Sequence, residues 1–347
     1  MVQPHIVSTT IFPLSISIRN LCTFAAVKKI LIIVIGCVLL GTACHRAPVQ
    51  QFAGAALGTT YHITYIGEAD PTLPSQVDSL LRHINKTFSI FDTTSLISRV
   101  NAGQETALSE DFLHVLQMAL VVSDKTGGAF DCTIQPLVEL WGFGREGQKQ
   151  VVPRETIDSV RQFVGSAKIS IEDGRIVKAD PRVQLNFNAI AKGFAVDKVA
   201  AHLIASGYEN CIVEIGGEIV AHGTKQGKPW KVGIQTPTST ADGAVESQRS
   251  FPLQNRAVAT SGNYRNYFEK DGKRYTHILN PVTGCPEETN LLSVTVIAPD
   301  CTTADAYATA FMVLGLEPAL RIVNADETLE ACFIYDDNGK LRVESTF

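Results

Sequence analysis

The stretch Thr302-Thr-Ala-Asp-Ala-Tyr-Ala-Thr-Ala-Phe-Met-Val-Leu-Gly315 constrains this chain most. From Ala304 to Leu314 it is apolar on nearly every face, so a helix formed there has to be buried. Two polar side chains go in with it. Asp305 and Thr309 are four residues apart and share one face. Two oxygen donors converging in a dry site fit a hard cation such as Mg²⁺, which keeps other positions for waters and phosphate oxygens. The alternative is structural: Asp305, three after Thr302, completes an N-terminal cap, and Thr309 bonds back to its own helix.

A second buried helix is expected from Ala191 to about Ala205, with Ala195, Val199 and Leu203 as its inward stripe. It follows a strand-like run in which Val183, Leu185 and Phe187 alternate with polar residues. Lys192 lies at the N-terminal end of this helix, among the small residues Ala189, Ala191 and Gly193. A Lys beside a helix N-terminus makes an anion site. A Lys that snorkels out of the first turn fits the same spacing.

Three dipeptides mark turns between strand-like runs: Asp173-Gly174, Asp271-Gly272 and Asn338-Gly339. Val77, Leu80, Leu81, Ile84 and Phe88 mark an amphipathic helix, and Ser109 is placed to cap another that Gly127-Gly128 ends. Antiparallel hairpins mixed with a few long helices indicate an α+β fold rather than a doubly wound parallel sheet. Nothing in 53–347 reads as a linker, so that stretch is expected to form one domain, with two lobes.

The N-terminus is not expected to belong to the fold. Lys28-Lys29 precede an apolar run from Ile30 to Leu40, which ends in Gly41-Thr42-Ala43-Cys44. This is the layout of a secretory signal and is too short for a membrane span. The run resembles a bacterial lipoprotein signal, so residues 1–43 are expected to be a signal peptide of that type, with Cys44 lipidated and 44–52 as a tether; the alternative is an ordinary cleaved signal or an uncleaved anchor. The long uncharged lead-in fits a translation start near Val27 as well as one at Met1. Without Arg19, Lys28 and Lys29, the 30 basic residues fall to 27 against 35 acidic ones. That acidic body has no basic runs, which argues against nucleic acid as a partner. Beyond Cys44, the cysteines Cys132, Cys211, Cys285, Cys301 and Cys332 show no CxxC spacing, so buried thiols are expected.

Several common sites are missing. The Gly216-Gly217 segment is not a GxGxxG that opens a helix, no GxxxxGK[ST] occurs, and there is no GxSxG elbow. Three other segments draw attention. Gly127–Gly144 has glycines at both ends, two Phe and Trp141, suited to a flat ligand or to a turn and a short core helix. Within it, Asp131 can accept a hydrogen bond from a ring N–H or a hydroxyl. Gly216-Gly217 interrupt an apolar strand pattern, which points to a bulge or to close backbone approach. His277 stands just before a Pro/Gly-rich loop, where it can act as a base, bind phosphate, or bond a loop carbonyl.

Taken in order, these segments resemble the FAD:protein FMN transferases, the ApbE-like flavin transferases. The matching runs are Ala129-Phe-Asp-x-Thr-x-x-Pro-Leu137, Asn188-Ala-Ile-Ala-Lys-Gly-Phe-Ala-Val-Asp197 and Gly216-Gly-Glu218. They continue with Ala259-Thr-Ser-Gly262, His277-Ile-x-x-Pro-x-Thr-Gly284 and Ala304-Asp-x-x-x-Thr309. The resemblance runs from about Leu57 to Gly315 and agrees with a lipoprotein signal, since many members are lipoproteins.

It implies an ApbE-like domain of antiparallel sheets and packed helices, with a flavin cleft between its lobes. FAD would be the substrate, with its pyrophosphate on Mg²⁺. Asp305, Thr309 and the carbonyl of Ala189 would hold the metal. Leu57, Phe91, Ala129, Phe130, Asp131, Asn186, Lys192 and Ile278 would contact FAD. Asn186 stands where Asp is frequent in the family, and Ala308 where some members carry a second Asp ligand. The implied reaction moves FMN to a threonine hydroxyl of an acceptor redox protein and releases AMP. His277 is the first choice of base, Asp131 the second, and Lys192 offsets phosphate charge. The implied partners are flavoprotein subunits of membrane redox complexes, on the periplasmic side of a bacterial cell envelope. The same motifs fit an FAD pyrophosphatase, while a non-catalytic flavin-binding lipoprotein would have no use for a metal.

Overall fold

Alternating apolar and polar residues build the strands of this protein, and paired positive-φ residues turn them back on themselves. The computed structural model describes residues 47–145, 150–234, 249–263, 267–270 and 273–347. The expected signal peptide, Cys44 and the Asp271-Gly272 turn lie outside the described residues. Fourteen strands are described. The first six are β1 (Val49–Ala56), β2 (Thr59–Ile66), β3 (Ile169–Glu172), β4 (Arg175–Lys178), β5 (Cys211–Ile215) and β6 (Glu218–His222). Then come β7 (Trp230–Ile234), β8 (Arg249–Leu253), β9 (Arg256–Gly262), β10 (Tyr267–Lys270) and β11 (Lys273–Thr276). The last are β12 (Leu291–Ala298), β13 (Glu330–Asp337) and β14 (Lys340–Ser345).

Asp173-Gly174 closes β3–β4 and Asn338-Gly339 closes β13–β14, with φ of 49° and 71° and of 54° and 82°. Those are the left-handed pairs a two-residue hairpin needs. Gly216-Gly217, expected as a bulge or close approach, is a third such turn: it joins β5 to β6 at φ 65° and 109°. β1 starts at Val49, inside the stretch 44–52 expected as tether, because 49–52 pair with Ile63–Ile66 of β2.

Eight strands form one antiparallel sheet in the order β1-β2-β5-β6-β9-β12-β13-β14. Its inner face carries Val213, Ala257, Ala259, Val294, Val296 and Phe333 into the main core. There it meets the Ala191–Ala205 and Cys301–Leu314 helices. On the other face, Ala221, Val258 and Ile297 pack against Trp230, Val232 and Leu253 of the β7–β8 hairpin. Both faces are therefore covered at the centre of the sheet. Four of the five described cysteines are buried, and all five are free thiols.

The two lobes expected from sequence are unequal. A small second core of Leu137, Trp141, Val152, Ile157, Val164 and Leu279 stands beside the main one, and residues 48–347 form one unit. The expected strand at Val183–Phe187 is not one. Its backbone is held by a single bridge, Ile134 to Gln184, by Asn186 N donating to Cys132 O at 2.8 Å, and by the Asn101 side chain. Asn101 Oδ1 accepts from Leu185 N at 2.6 Å and its Nδ2 donates to Leu185 O at 2.8 Å. At Leu185 an amide side chain thus takes the place of a neighbouring strand.

Candidate active site

The Cys301–Leu314 helix is buried as expected, but its cap is neither Thr302 nor Asp305. Asp300 caps it by accepting from Thr303 N at 2.7 Å. Asp197, on the neighbouring Ala191–Ala205 helix, accepts from Cys301 N, Thr302 N and Thr302 Oγ1 at 2.8, 2.8 and 2.6 Å. The first-turn donors are thereby satisfied, and Asp305 is left for other work. Burial pushes Asp197 up to about 6, against three hydrogen bonds that favour its charged form.

The two helices cross at contact distance because Gly193 has no side chain. A Cβ there would lie 2.2 Å from Cys301 O and 2.9 Å from Asp305 Cβ. Gly193 N donates to Asp305 Oδ2 at 3.0 Å. Lys192, one residue earlier, places Nζ 3.7 Å from Asp305 Oδ1 and 2.7 Å from Glu218 Oε1. The structure thus decides between the two sequence readings of Lys192: its ammonium turns inward to two carboxylates and does not snorkel away. Burial works to lower its pKa, but Asp305 and Glu218 outweigh that and hold it above the ordinary lysine value. Glu218 is pushed up to about 7, burial outweighing the attraction of Lys192. Thr309, on the same helix face as Asp305, bonds Ser261 Oγ of β9 at 3.0 Å and not its own helix.

This charged wall closes one side of a cavity of about 930 Å³. Asn186, Ala189, Lys192, Asp305 and Thr309 line it from the main core, and Ala129, Phe130 and Asp131 from the loop after the Glu110–Lys125 helix. Phe91 and His277 line it at the rim, where Phe91 is 57% exposed and His277 also faces solvent, and the buried Ile278 lines it next to His277. The second core contributes Ile134, Val138, Phe143 and Leu279, so the cavity lies between the two cores. Among the residues expected at the ligand, Leu57 alone is not in the lining. It occupies the β1–β2 turn at φ 53° and packs on the main core, while Thr59 and Thr60 reach the cavity. Glu218 was missed as a site residue. The run Gly216-Gly-Glu218 was visible, but only the hairpin turn and strand pairing aim its third residue at Lys192.

Asp131 is buried, and burial raises its pKa. Both of its oxygens are already engaged. Oδ1 accepts from Thr133 N and Oγ1 at 2.7 and 2.6 Å, and Oδ2 accepts from Ser166 N at 2.8 Å. It serves as a loop clamp, and those bonds oppose its use as a base. Asn186 is likewise spoken for: Nδ2 donates to Gln135 Oε1 at 2.6 Å and Oδ1 accepts from Asn188 N at 2.8 Å. It fixes the turn that presents Ala189. The His277 loop is pinned to the second core, with Trp141 Nε1 donating to Gly284 O at 2.8 Å and the Phe143 ring 6.4 Å from the His277 ring.

Such a cleft suits an elongated ligand with phosphate charge at its inner end and a flat ring towards the rim, and this is the layout of an enzyme that handles a nucleotide-like cofactor. The chain belongs to the ApbE family, whose sequence profile matches residues 57–333. It is 37% identical over 331 residues to the FAD:protein FMN transferase of Haemophilus influenzae, covering 90% of this chain and 95% of that one. The FAD:protein FMN transferase of Vibrio cholerae is 38% identical over 319 residues, 89% and 94% of the two chains. In three dimensions the chain is similar to the flavin transferase ApbE of Vibrio cholerae, with a TM-score of 0.78 at 36% identity over 86% of this chain and 97% of that one. The apo flavinyl transferase ApbE of Pseudomonas stutzeri gives 0.79 at 36% identity, over 88% and 96%. The expected α+β ApbE-like fold is therefore the observed one.

Proposed function

We infer that this chain is an FAD:protein FMN transferase that moves FMN from FAD to a threonine hydroxyl of an acceptor redox protein. The observation that carries this reading is Lys192, held inside the cavity beside Asp305 and Glu218. An inward ammonium is what a pyrophosphate needs and what a flavin ring alone does not. The threonine oxygen attacks the phosphorus nearer riboflavin, and the bond from that phosphorus to the bridging oxygen breaks. AMP leaves with the bridging oxygen, and the hydroxyl proton passes to a base. His277 is the base, since it lines the rim where a protein chain can enter, while both Asp131 oxygens are engaged. Lys192 offsets the charge that builds on the phosphate oxygens.

The donor set fits Mg²⁺ in chemistry. The Asp305 carboxylate, the Thr309 hydroxyl and the Ala189 carbonyl, all on residues that line the cavity, are hard oxygen ligands. Among the described residues no group of three or more His, Cys, Asp or Glu could hold a metal alone, so the pyrophosphate would complete the coordination. When bound, the metal would neutralise pyrophosphate charge.

The pattern of residues 28–44 supports export and a lipid anchor on Cys44, and with them a proposed location on the periplasmic side of a bacterial envelope, where the acceptors would be subunits of membrane redox complexes. Incubating the protein with FAD, Mg²⁺ and a flavin-accepting domain tests the function. Covalent FMN on a threonine, with AMP released, supports it. Free FMN with AMP indicates a pyrophosphatase instead, and unchanged FAD a binding protein.

A further inference from the structure

Glu218 is buried to 3% exposure, lines the cavity, and is aimed there by the Gly216-Gly217 turn at the head of β6. Its Oε1 takes the Lys192 ammonium at 2.7 Å, a full ångström closer than Asp305 does at 3.7 Å. Its Oε2 is buried without a hydrogen-bond partner. A carboxylate kept for structure alone would have both oxygens satisfied, since desolvating a charge is repaid only by good geometry and further hydrogen bonds. The one other side chain that this carboxylate bonds is the cation expected to meet the substrate. The rest of the wall does not need it, because Asp305 is held by Gly193 N and the Cys301–Leu314 helix is fastened by Asp197.

We propose that Glu218 is a positioning residue for the reaction: it fixes the Lys192 ammonium at the cavity wall and competes with the substrate pyrophosphate for it. The proposal rests on the flavin transferase reading. It deepens that reading by naming the group that sets how tightly the resting enzyme withholds its phosphate-binding cation. Two consequences separate this from a structural role. Removing the negative charge while keeping an acceptor frees the ammonium for phosphate without losing its direction. Removing the acceptor as well lets the four-carbon stem of Lys192 wander.

The test compares Glu218→Gln and Glu218→Ala with the parent, measuring FAD affinity by quenching of flavin fluorescence and turnover with an acceptor domain. In Glu218→Gln, FAD should bind several-fold tighter, with kcat within about threefold of the parent. In Glu218→Ala, kcat should fall about tenfold or more, the scale of a lost hydrogen bond to a charged group, while FAD binds at least as tightly as to the parent. Parent-like kcat and affinity in both variants would overturn the proposal, as would weaker FAD binding in Glu218→Gln or equal loss of turnover in the two. If the parent itself binds FAD but transfers no FMN, the transferase reading fails. The fluorescence arm still decides the competition between Glu218 and phosphate in that case.

Discussion

The inner wall of the cavity and its rim are built in opposite ways. On the wall, Lys192, Glu218 and Asp305 project from a helix, a strand and a second helix; Lys192 and Glu218 hold each other, and Gly193 N holds Asp305. At the rim, Phe91 is 57% exposed, and His277 stands on a loop pinned to the small second core. The division follows from the chemistry assigned to each side. Charge on a pyrophosphate is best met by groups already fixed in a water-poor setting, which need no reorganisation as the charge develops. A protein acceptor, by contrast, has to enter from solvent, so the group that meets its hydroxyl must stand where another chain can reach it.

Asp305→Ala should break the wall side most deeply. It removes the proposed metal carboxylate, the acceptor of Gly193 N and one neighbour of the Lys192 ammonium together. Turnover should fall by about 10³-fold or more, while much of the flavin binding, read by fluorescence quenching, should survive because the rest of the cavity lining is unchanged. Full activity in this variant would remove Asp305 from the phosphate machinery.

His277→Asn tests the rim side and should be milder and more selective. Loss of a general base costs about 10² to 10⁴-fold in kcat, and the lower end is expected here because water can relay the proton at an exposed site. The thermal midpoint and FAD affinity should stay at parent values, since the side chain is exposed. A large fall in thermal midpoint would show the rim to be as structural as the wall.

A pH measurement sharpens the contrast without touching the reacting groups. Asp197 fastens the two wall helices with a carboxylate whose pKa burial raises to about 6. Its unfolded value is the ordinary one near 4, so the folded state holds the proton more tightly. The stability this contributes is fully present below about pH 4 and is lost as pH rises through about 6. Denaturant unfolding of the parent should show that loss as a downward slope, on the order of 3 kcal/mol between those limits. Asp197→Asn, which cannot titrate, should be flatter over the same window. An unchanged slope would place the titration elsewhere.

Much of this architecture was legible in the sequence, for identifiable reasons. Period-two alternation and Asp-Gly or Asn-Gly pairs act locally, so the β3–β4 and β13–β14 hairpins fell where expected. The Ala191–Ala205 helix also fell within its expected bounds. What failed depends on partners distant in the chain. The run Val183–Phe187 alternates like a strand, yet Asn101, more than eighty residues away, takes the backbone bonds of Leu185. The cap of the buried helix looked like Thr302 or Asp305, and the second clamp on it came from Asp197 on another helix. Glu218 could not be assigned because nothing local to a Gly-Gly-Glu run says which cation it will face. The order of the eight strands, with β2 beside β5 and β6 beside β9, is non-local in the same way.

The smallest expected effect concerns the helix crossing that makes the wall possible. Gly193 lies within a regular helix, so alanine there carries no backbone strain and even favours the helix by about 1 kcal/mol. Against that gain stands the added methyl group, 2.2 Å from the Cys301 carbonyl, a backbone atom that cannot swing aside. The helices must separate, and overpacking of this kind costs about 1–3 kcal/mol, so Gly193→Ala should lose stability by the difference between the two terms. The thermal midpoint therefore falls by only a few degrees. Turnover should fall further than that stability loss implies, because the separation also lengthens the Gly193–Asp305 hydrogen bond and draws Lys192 away from Asp305. A variant that melts like the parent and turns over FAD at the parent rate would show that the wall tolerates a wider crossing. Its difference from the rim would then lie in burial alone and not in fixed geometry.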